Sequence, residues 1–398
     1  MAGSARPARA YLDHAATSPM PDEVRTQYLH ALELVGNPAS SHADGQSSLE
    51  LLEAARERIA ATLGAERVEV SLTSGGTESI NLAVKGLFWA RQSDGPRPVI
   101  LLARTEHHAT LEACEWLRDH QGAELVWLDV DMEGVLRPET LAAAIAEVGA
   151  ERVALVTFLL ANNEVGSVQP VAALCAVAEG ESIPCHVDAV AALGQVPIDF
   201  HELGASTLSV SAHKIGGPVG VGALLIARRT KIEALLHGGT QQRGRSGTQD
   251  AAGAVAFAAA LDLAAATVAD PSALARARDR LISGVRVLVP DAKLHGTAPG
   301  AGVSARLPGN AHFTFPGCQG DSLLFLLDQA GVSVSTGSAC QAGVAETSHV
   351  LLAMGVPESE ALGALRMTLG GSDAESAVDR FLDALPGAVE KARRAGLS

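Results

Sequence analysis

The chain has 398 residues, 47% hydrophobic and 19% charged, a composition that excludes disorder and suits a large domain with a smaller one attached. Thirty Lys and Arg against 45 Asp and Glu give a formal net charge of −15, a field that repels a phosphate backbone, and aromatics at 3% offer few stacking surfaces for bases. Both features argue against nucleic-acid binding.

No charge-free apolar run reaches ~18 residues, so no membrane span is expected. No apolar run follows the N-terminal charges before Tyr11, so no secretory signal is expected either. Five cysteines, an odd number without CxxC spacing, in a large acidic chain read as reduced thiols in the cytoplasm.

In chain order, short apolar runs alternate with helical patterns. Strands are expected at 68–72, 98–102, 124–128, 153–159, 184–187, 207–210 and 222–226, with helices at 47–63, 78–90, 109–120, 138–148 and 171–179. Gly64 just past the first helix and Pro138 at the start of another are the expected stop and start signals. This alternation predicts an α/β fold with a mostly parallel central sheet covered on both faces. After about residue 251 two Ala-rich helical stretches run to 267 and 288. An α+β unit follows, with a strand at 310–314, a helix at 321–329, a strand at 332–334 and a terminal helix at 374–395. The organisation read from this is a large domain over 15–260 and a small one built from 1–14 and 265–398.

Seven constellations bear chemistry. Thr73-Ser74-Gly75-Gly76-Thr77-Glu78 follows a strand and opens a helix, and its free N–H groups suit a phosphate, although an ordinary turn capped by Thr77 has the same sequence. Thr105-Glu106-His107-His108 places His107 where it could stack on a flat ring or shuttle a proton, or simply start a surface helix. In Asn162-Asn163 a strand-end amide needs a hydrogen-bond partner, either a ligand or its own turn. His186-Val187-Asp188 ends a strand with a carboxylate that could pair with a protonated ring nitrogen or cap the next turn.

Ser211-Ala212-His213-Lys214 puts one of only five lysines between a strand end and a Gly-rich turn, where a lowered pKa makes an amine nucleophile able to hold an aldehyde as a Schiff base. Cys340 sits among Ser, Gly and Ala rather than Leu and Val, the setting of an accessible thiol. Arg366 in an apolar strand-like run needs an anion, which is either a substrate carboxylate or an internal acid.

Taken together, and with Tyr11-Leu12-Asp13-His14-Ala15-Ala16-Thr17 and the 309–315 and 335–355 segments, these motifs resemble the cysteine desulfurases of the NifS/IscS type, closest to the actinobacterial IscS-like members. The resemblance spans nearly the whole chain. It implies a fold-type I enzyme dependent on pyridoxal 5′-phosphate. Lys214 would hold the cofactor aldehyde and Asp188 its pyridine nitrogen, while His107 would stack on the ring. Gly76, Thr77, Ser211 and His213 would bind the phosphate, and Thr248 would reach the phosphate of a second subunit in a homodimer. Asn163 and Arg366 would hold the carboxylate of L-cysteine, with Asn37 nearby. Cys340 would take the sulfur as a persulfide for an acceptor in Fe–S cluster assembly, tRNA thiolation or another sulfur pathway. Its TGSAC-type loop resembles class I members.

Two departures stand out. Ala191 occupies the position where the family carries Gln, a donor to the cofactor's phenolic oxygen. The 237–248 segment has Thr240 in place of a third Gly and is one residue shorter than usual. The competing readings are a selenocysteine lyase, another fold-type I enzyme such as an aminotransferase, and a sulfur-relay protein with weakened catalysis.

Overall fold

The structure is a computed structural model, and it describes residues 9–300, 305–337, 347–371 and 373–395. Twelve strands are present among the described residues. They are β1 (Ala10–Tyr11), β2 (Val70–Thr73), β3 (Val99–Ala103), β4 (Glu124–Leu128), β5 (Val153–Leu159), β6 (Cys185–Asp188), β7 (Thr207–Ser211), β8 (Gly222–Ile226), β9 (Lys293–His295), β10 (Asn310–Thr314), β11 (Val332–Ser333) and β12 (Ala364–Thr368). Seven form the large sheet in the order β2-β8-β7-β6-β5-β3-β4. The fold is α/β, as the sequence predicts. The sheet is parallel except for β8, which runs antiparallel to both neighbours.

Burial on both faces explains the near-continuous apolar strands. Along β3, Val99, Leu101 and Ala103 face one apolar core while Ile100 and Leu102 face the other. In β5 the alternation slips: Ala154 and Leu155 face the same core, where the register with β3 gains one residue between Val99 and Ile100.

Helix Ala43–Thr62 starts four residues before the predicted one because His42 caps it, its Nδ1 accepting from Gly45 N at 3.3 Å. A histidine cap gives no Ser, Thr or Asp signal to read. Helix Asp22–Leu32 escapes the sequence reading altogether, because only Val24 and Ala31 on it are buried and no apolar stripe marks it. Helix Ala251–Ala269 is long and apolar enough to cross a membrane by length and composition. Here it packs as a core helix, its Ala254, Phe257, Ala258 and Leu261 in the main apolar cluster and Asp262 paired with Arg58.

A smaller α+β unit packs a second core, in which Ala10 and Leu12 join residues between 274 and 392. It contains the antiparallel sheet β12-β10-β9 and the parallel pair β1-β11. Because β8 reverses, β2 points the same way as β5, β6 and β7. The segments after all four strands therefore open at one edge of the large sheet, where open α/β sheets bind ligands. That edge faces β12 of the smaller unit.

Candidate active site

A cavity of about 330 Å3 lies at this edge. Its wall combines Gly76 and Thr77 after β2, His107 and His108 after β3, Asn163 and Glu164 after β5, Asp188 and Ala191 at β6, and Ser211, His213 and Lys214 at β7. The smaller unit adds Ser335, Gly337, His349 and Arg366. Nine of the twelve residues singled out by sequence thus converge from segments far apart in the chain.

Lys214 Nζ donates to the carbonyls of Ala15 and Ala16. Burial and the nearby Arg366 charge lower its pKa to about 8, while Asp188 and Asp13 oppose the shift. Its amine is therefore neutral in a usable fraction near physiological pH. Asp188 is buried at the end of β6, and burial raises its carboxyl to about 6. The Val190 N–H at 2.9 Å and the Ser209 hydroxyl at 3.3 Å hold it below where burial alone would put it.

His107 caps helix His108–Gln121, its Nδ1 accepting from Ala109 N at 3.1 Å. That bond places the proton of the neutral ring on Nε2. Its ring is accessible through the cavity mouth, yet protein surrounds the cavity; burial and the positive charge of Lys214 bring its pKa to about 4.

The expected phosphate cradle lies where β2 meets helix Gly76–Arg91. Gly75 has φ +136°, and a Cβ on Gly76 would stand 2.8 Å from Val190 Cγ2, so both positions require glycine. No side chain caps this helix start. Beside it the Ser211 hydroxyl is fully buried with no hydrogen-bond partner, a state that costs about 1–3 kcal/mol unless a ligand relieves it. An open helix start, an orphaned hydroxyl, a buried carboxylate and a depressed lysine in one cavity fit a phosphorylated pyridine aldehyde. These residues are Gly76, Thr77, Ser211, Asp188 and Lys214. His213 lines the same wall and bonds Thr17 Oγ1 at 3.3 Å.

Arg366 is 6% exposed on β12. Of the two alternatives raised by the sequence the structure shows the internal acid: Arg366 pairs with Asp13 at 3.0 Å and donates to the Asn163 carbonyl at 3.0 Å, while its Nε has no partner. Its backbone also bonds Ser335 in both directions, at 2.6 and 3.1 Å, which fixes the chain three residues before Ser338 to the site floor.

Some expectations meet a different geometry. Asn37 does not line the cavity; its Oδ1 accepts from Ala39 N at 3.0 Å in a local turn, on an exposed stretch of the same chain. In the Asn pair the fully buried member is Asn162, which satisfies its amide internally through Thr105, Glu164 and Val165, and Asn163 alone lines the cavity. Thr248, expected to reach a second subunit's phosphate and not this cavity, lies in a smaller pocket with Thr73 and Ser74. Cys340 lies outside the described residues.

The structure adds residues to which the sequence reading gave no role. Asp13 neutralises Arg366, and in the sequence it stood only as part of the Tyr11–Thr17 motif. Glu106 is fully buried; burial and Asp188 push its carboxyl well up, while its Oε1 accepts from Leu159 N at 2.8 Å. His349 donates to the Glu106 carbonyl at 2.9 Å and stands edge-on to His108. Gln242, in the short segment, binds both the N–H and the carbonyl of Leu72 on β2, at 2.9 and 2.6 Å. Arg245 from the same segment holds Glu78 at 3.0 Å, so the shortened stretch is tied directly to the cradle.

Residues 10–381 match the class-V aminotransferase family. An IscS-like cysteine desulfurase of Mycobacterium tuberculosis is 48% identical over 392 residues, 98% of each chain. The cysteine desulfurase IscS of Methanosarcina thermophila is 40% identical over 96% of this chain and 92% of its own. Among solved structures, a NifS-like protein superposes with TM-score 0.86 at 33% identity over 96% of this chain and 100% of its own. SspA in complex with cysteine superposes with TM-score 0.75 at 28% identity, over 90% of this chain and 98% of its own. Matches of this identity along essentially the full length leave one conclusion: the chain belongs to the class-V aminotransferase family, in its group of IscS/NifS-like cysteine desulfurases.

Proposed function

We propose that this chain removes sulfur from L-cysteine, releasing L-alanine and leaving a persulfide on Cys340. The observation that carries this reading is the meeting of the Lys214 amine, the buried Asp188 carboxylate and the half-satisfied Arg366 in one cavity. The family membership supports it.

Pyridoxal 5′-phosphate is the cofactor, and when bound it supplies an electron sink that weakens bonds at Cα and Cβ of the amino acid. Ser211, Thr77 and the Gly76 helix start would hold its phosphate, and Asp188 would hold its ring nitrogen. Arg366 binds the substrate carboxylate through guanidinium N–H groups while Asp13 keeps it oriented. Asn163 stands beside it on the cavity wall. Lys214 would hold the aldehyde, and its free Nζ would accept the Cα proton, which a pKa of about 8 allows. His107, neutral with its proton on Nε2, would stack on the ring and can donate a hydrogen bond there without adding positive charge.

The thiolate of Cys340 then takes the sulfur from the substrate's Cβ, and the carbon fragment leaves as alanine after protonation. A persulfide there serves a sulfur acceptor. A homodimer fits the same reading: Leu29, Leu32, Leu34 and Val35 are exposed in one stretch, the kind of apolar patch that a partner surface covers.

Purified protein supplied with L-cysteine should release alanine and accumulate persulfide in equal amounts, and Cys340→Ala should abolish both. An aminotransferase would instead keep its turnover in Cys340→Ala and form no persulfide, and that result would refute the assignment. Comparing alanine release from L-cysteine and L-selenocysteine separates the desulfurase from a selenocysteine lyase.

A further inference from the structure

At the edge of the large sheet opposite the active site lies a cavity of about 870 Å3. Strand β6 connects the two regions, with Asp188 at one end and Cys185 at the other. On the cavity wall the sulfurs of Cys185 and Cys175 stand 3.1 Å apart. Cys175 comes from helix Val171–Gly180, on the buried face that also carries Val171, Leu174 and Ala178. A disulfide needs its sulfurs at about 2 Å, so about 1 Å of closure separates this pair from a bond.

Three further features bear on what this pair does. The turn between the two cysteines carries Ser182 at φ +55°, the one non-glycine residue with positive φ among the described residues, and Ser182 and Pro184 line the same cavity. The thiols themselves are buried, at 1% and 2% exposure, beneath this exposed turn at the inner wall of the cavity. The cavity rim carries Arg228, Arg229 and Lys231, all exposed, its lining includes the acids Glu69 and Glu179, and Arg228 is paired with Glu66. The hydrogen bond with Cys175, together with those from Ser206, holds the Cys185 thiol below its ordinary pKa against the effect of burial. Cys114 and Cys318 sit in other cores, away from this cavity.

We propose that Cys175 and Cys185 form an oxidisable dithiol, a modification site separate from the active site, whose co-reactant is a small hydroperoxide entering through this cavity. The Cys185 thiolate attacks the terminal peroxide oxygen, the O–O bond breaks, and a sulfenic acid forms with release of water or alcohol. The Cys175 thiol then displaces hydroxide from that sulfur, which leaves as water on taking the thiol proton. Two S–H bonds are lost and one S–S bond is gained; two electrons pass to the peroxide.

The test uses the holoenzyme treated with about one equivalent of hydrogen peroxide, then alkylated under denaturing conditions and cleaved after Glu179 and Glu181, which lie between the two cysteines. The expected product is a pair of peptides carrying Cys175 and Cys185, joined by a bond that a phosphine reverses. It should form at least about tenfold faster than any oxidation of Cys114 or Cys318. Cys185→Ser should slow oxidation at Cys175 by a similar factor. The proposal is overturned if both thiols remain alkylatable when Cys114 or Cys318 has reacted, or if either is found linked to Cys340 instead. The mapping on the unaltered chain decides the matter even if the variant folds poorly.

Discussion

Ser211→Ala should move two measurements in opposite directions. In the apoprotein the Ser211 hydroxyl is fully buried and bonds to nothing. Burying an unsatisfied hydroxyl costs about 1–3 kcal/mol, so removing it should leave apoprotein stability unchanged or raise it by up to that amount. The void left by one oxygen is small, and the backbone of β7 keeps its bonds to β8. In the loaded protein the same hydroxyl faces a phosphate dianion. A hydrogen bond to a charged group contributes about 1.5–3 kcal/mol, which corresponds to a loss of about 10- to 150-fold in cofactor affinity. Chemical unfolding of the apoprotein gives the first quantity. Titration of apoprotein with pyridoxal phosphate, followed by visible absorbance, gives the second. An apoprotein destabilised by more than about 1 kcal/mol with unchanged cofactor affinity would mean that Ser211 is a structural residue and that the cradle lies elsewhere.

Further outcomes follow from the other site residues. Lys214 has a folded-state pKa of about 8 against an ordinary 10.5, so over that window the unfolded chain holds a proton that the folded apoprotein has lost. The stability it costs is fully present below about pH 8 and recovered as pH rises toward 10.5; Lys214→Met apoprotein should gain more stability at about pH 7 than at about pH 10, and an equal gain at both would remove the shift. The same substitution should abolish the visible absorbance of the loaded enzyme. Glu106 is buried with its carboxyl pushed well up, and its Oε1 accepts from Leu159 N, a bond a Gln amide oxygen can keep, so Glu106→Gln should keep stability within about 1 kcal/mol while Glu106→Ala, which strands the Leu159 N–H, should cost about 2–4 kcal/mol in urea unfolding. Arg366→Ala should lower kcat/KM for L-cysteine by about 30- to 800-fold, from ~2–4 kcal/mol of lost carboxylate binding, chiefly through KM; a fall confined to kcat would place Arg366 outside substrate binding. Ala191→Gln should tighten cofactor retention or shift the pH titration of the visible band, and no change in either would make that departure silent.

The sequence by itself determined the α/β alternation, because strands buried on both faces must be apolar throughout and the helices covering them must carry stripes. It also singled out the residues of the site, since a lysine at a strand end, a carboxylate ending a buried strand and glycines opening a helix, each with an ordinary alternative alone, together carry the family resemblance. Three matters were decided only by tertiary structure. Whether Arg366 waits for a ligand or pairs internally depends on Asp13, 353 positions away in sequence and brought beside it when β1 docks on the smaller unit. Which of two adjacent asparagines faces the cavity depends on how the turn after β5 satisfies its own backbone. The contact between Cys175 and Cys185 depends on how helix Val171–Gly180 lies against β6, since ten residues of separation are equally compatible with thiols that never meet. Local patterns record what each segment can become; contacts between distant segments depend on packing, to which every layer of the molecule contributes.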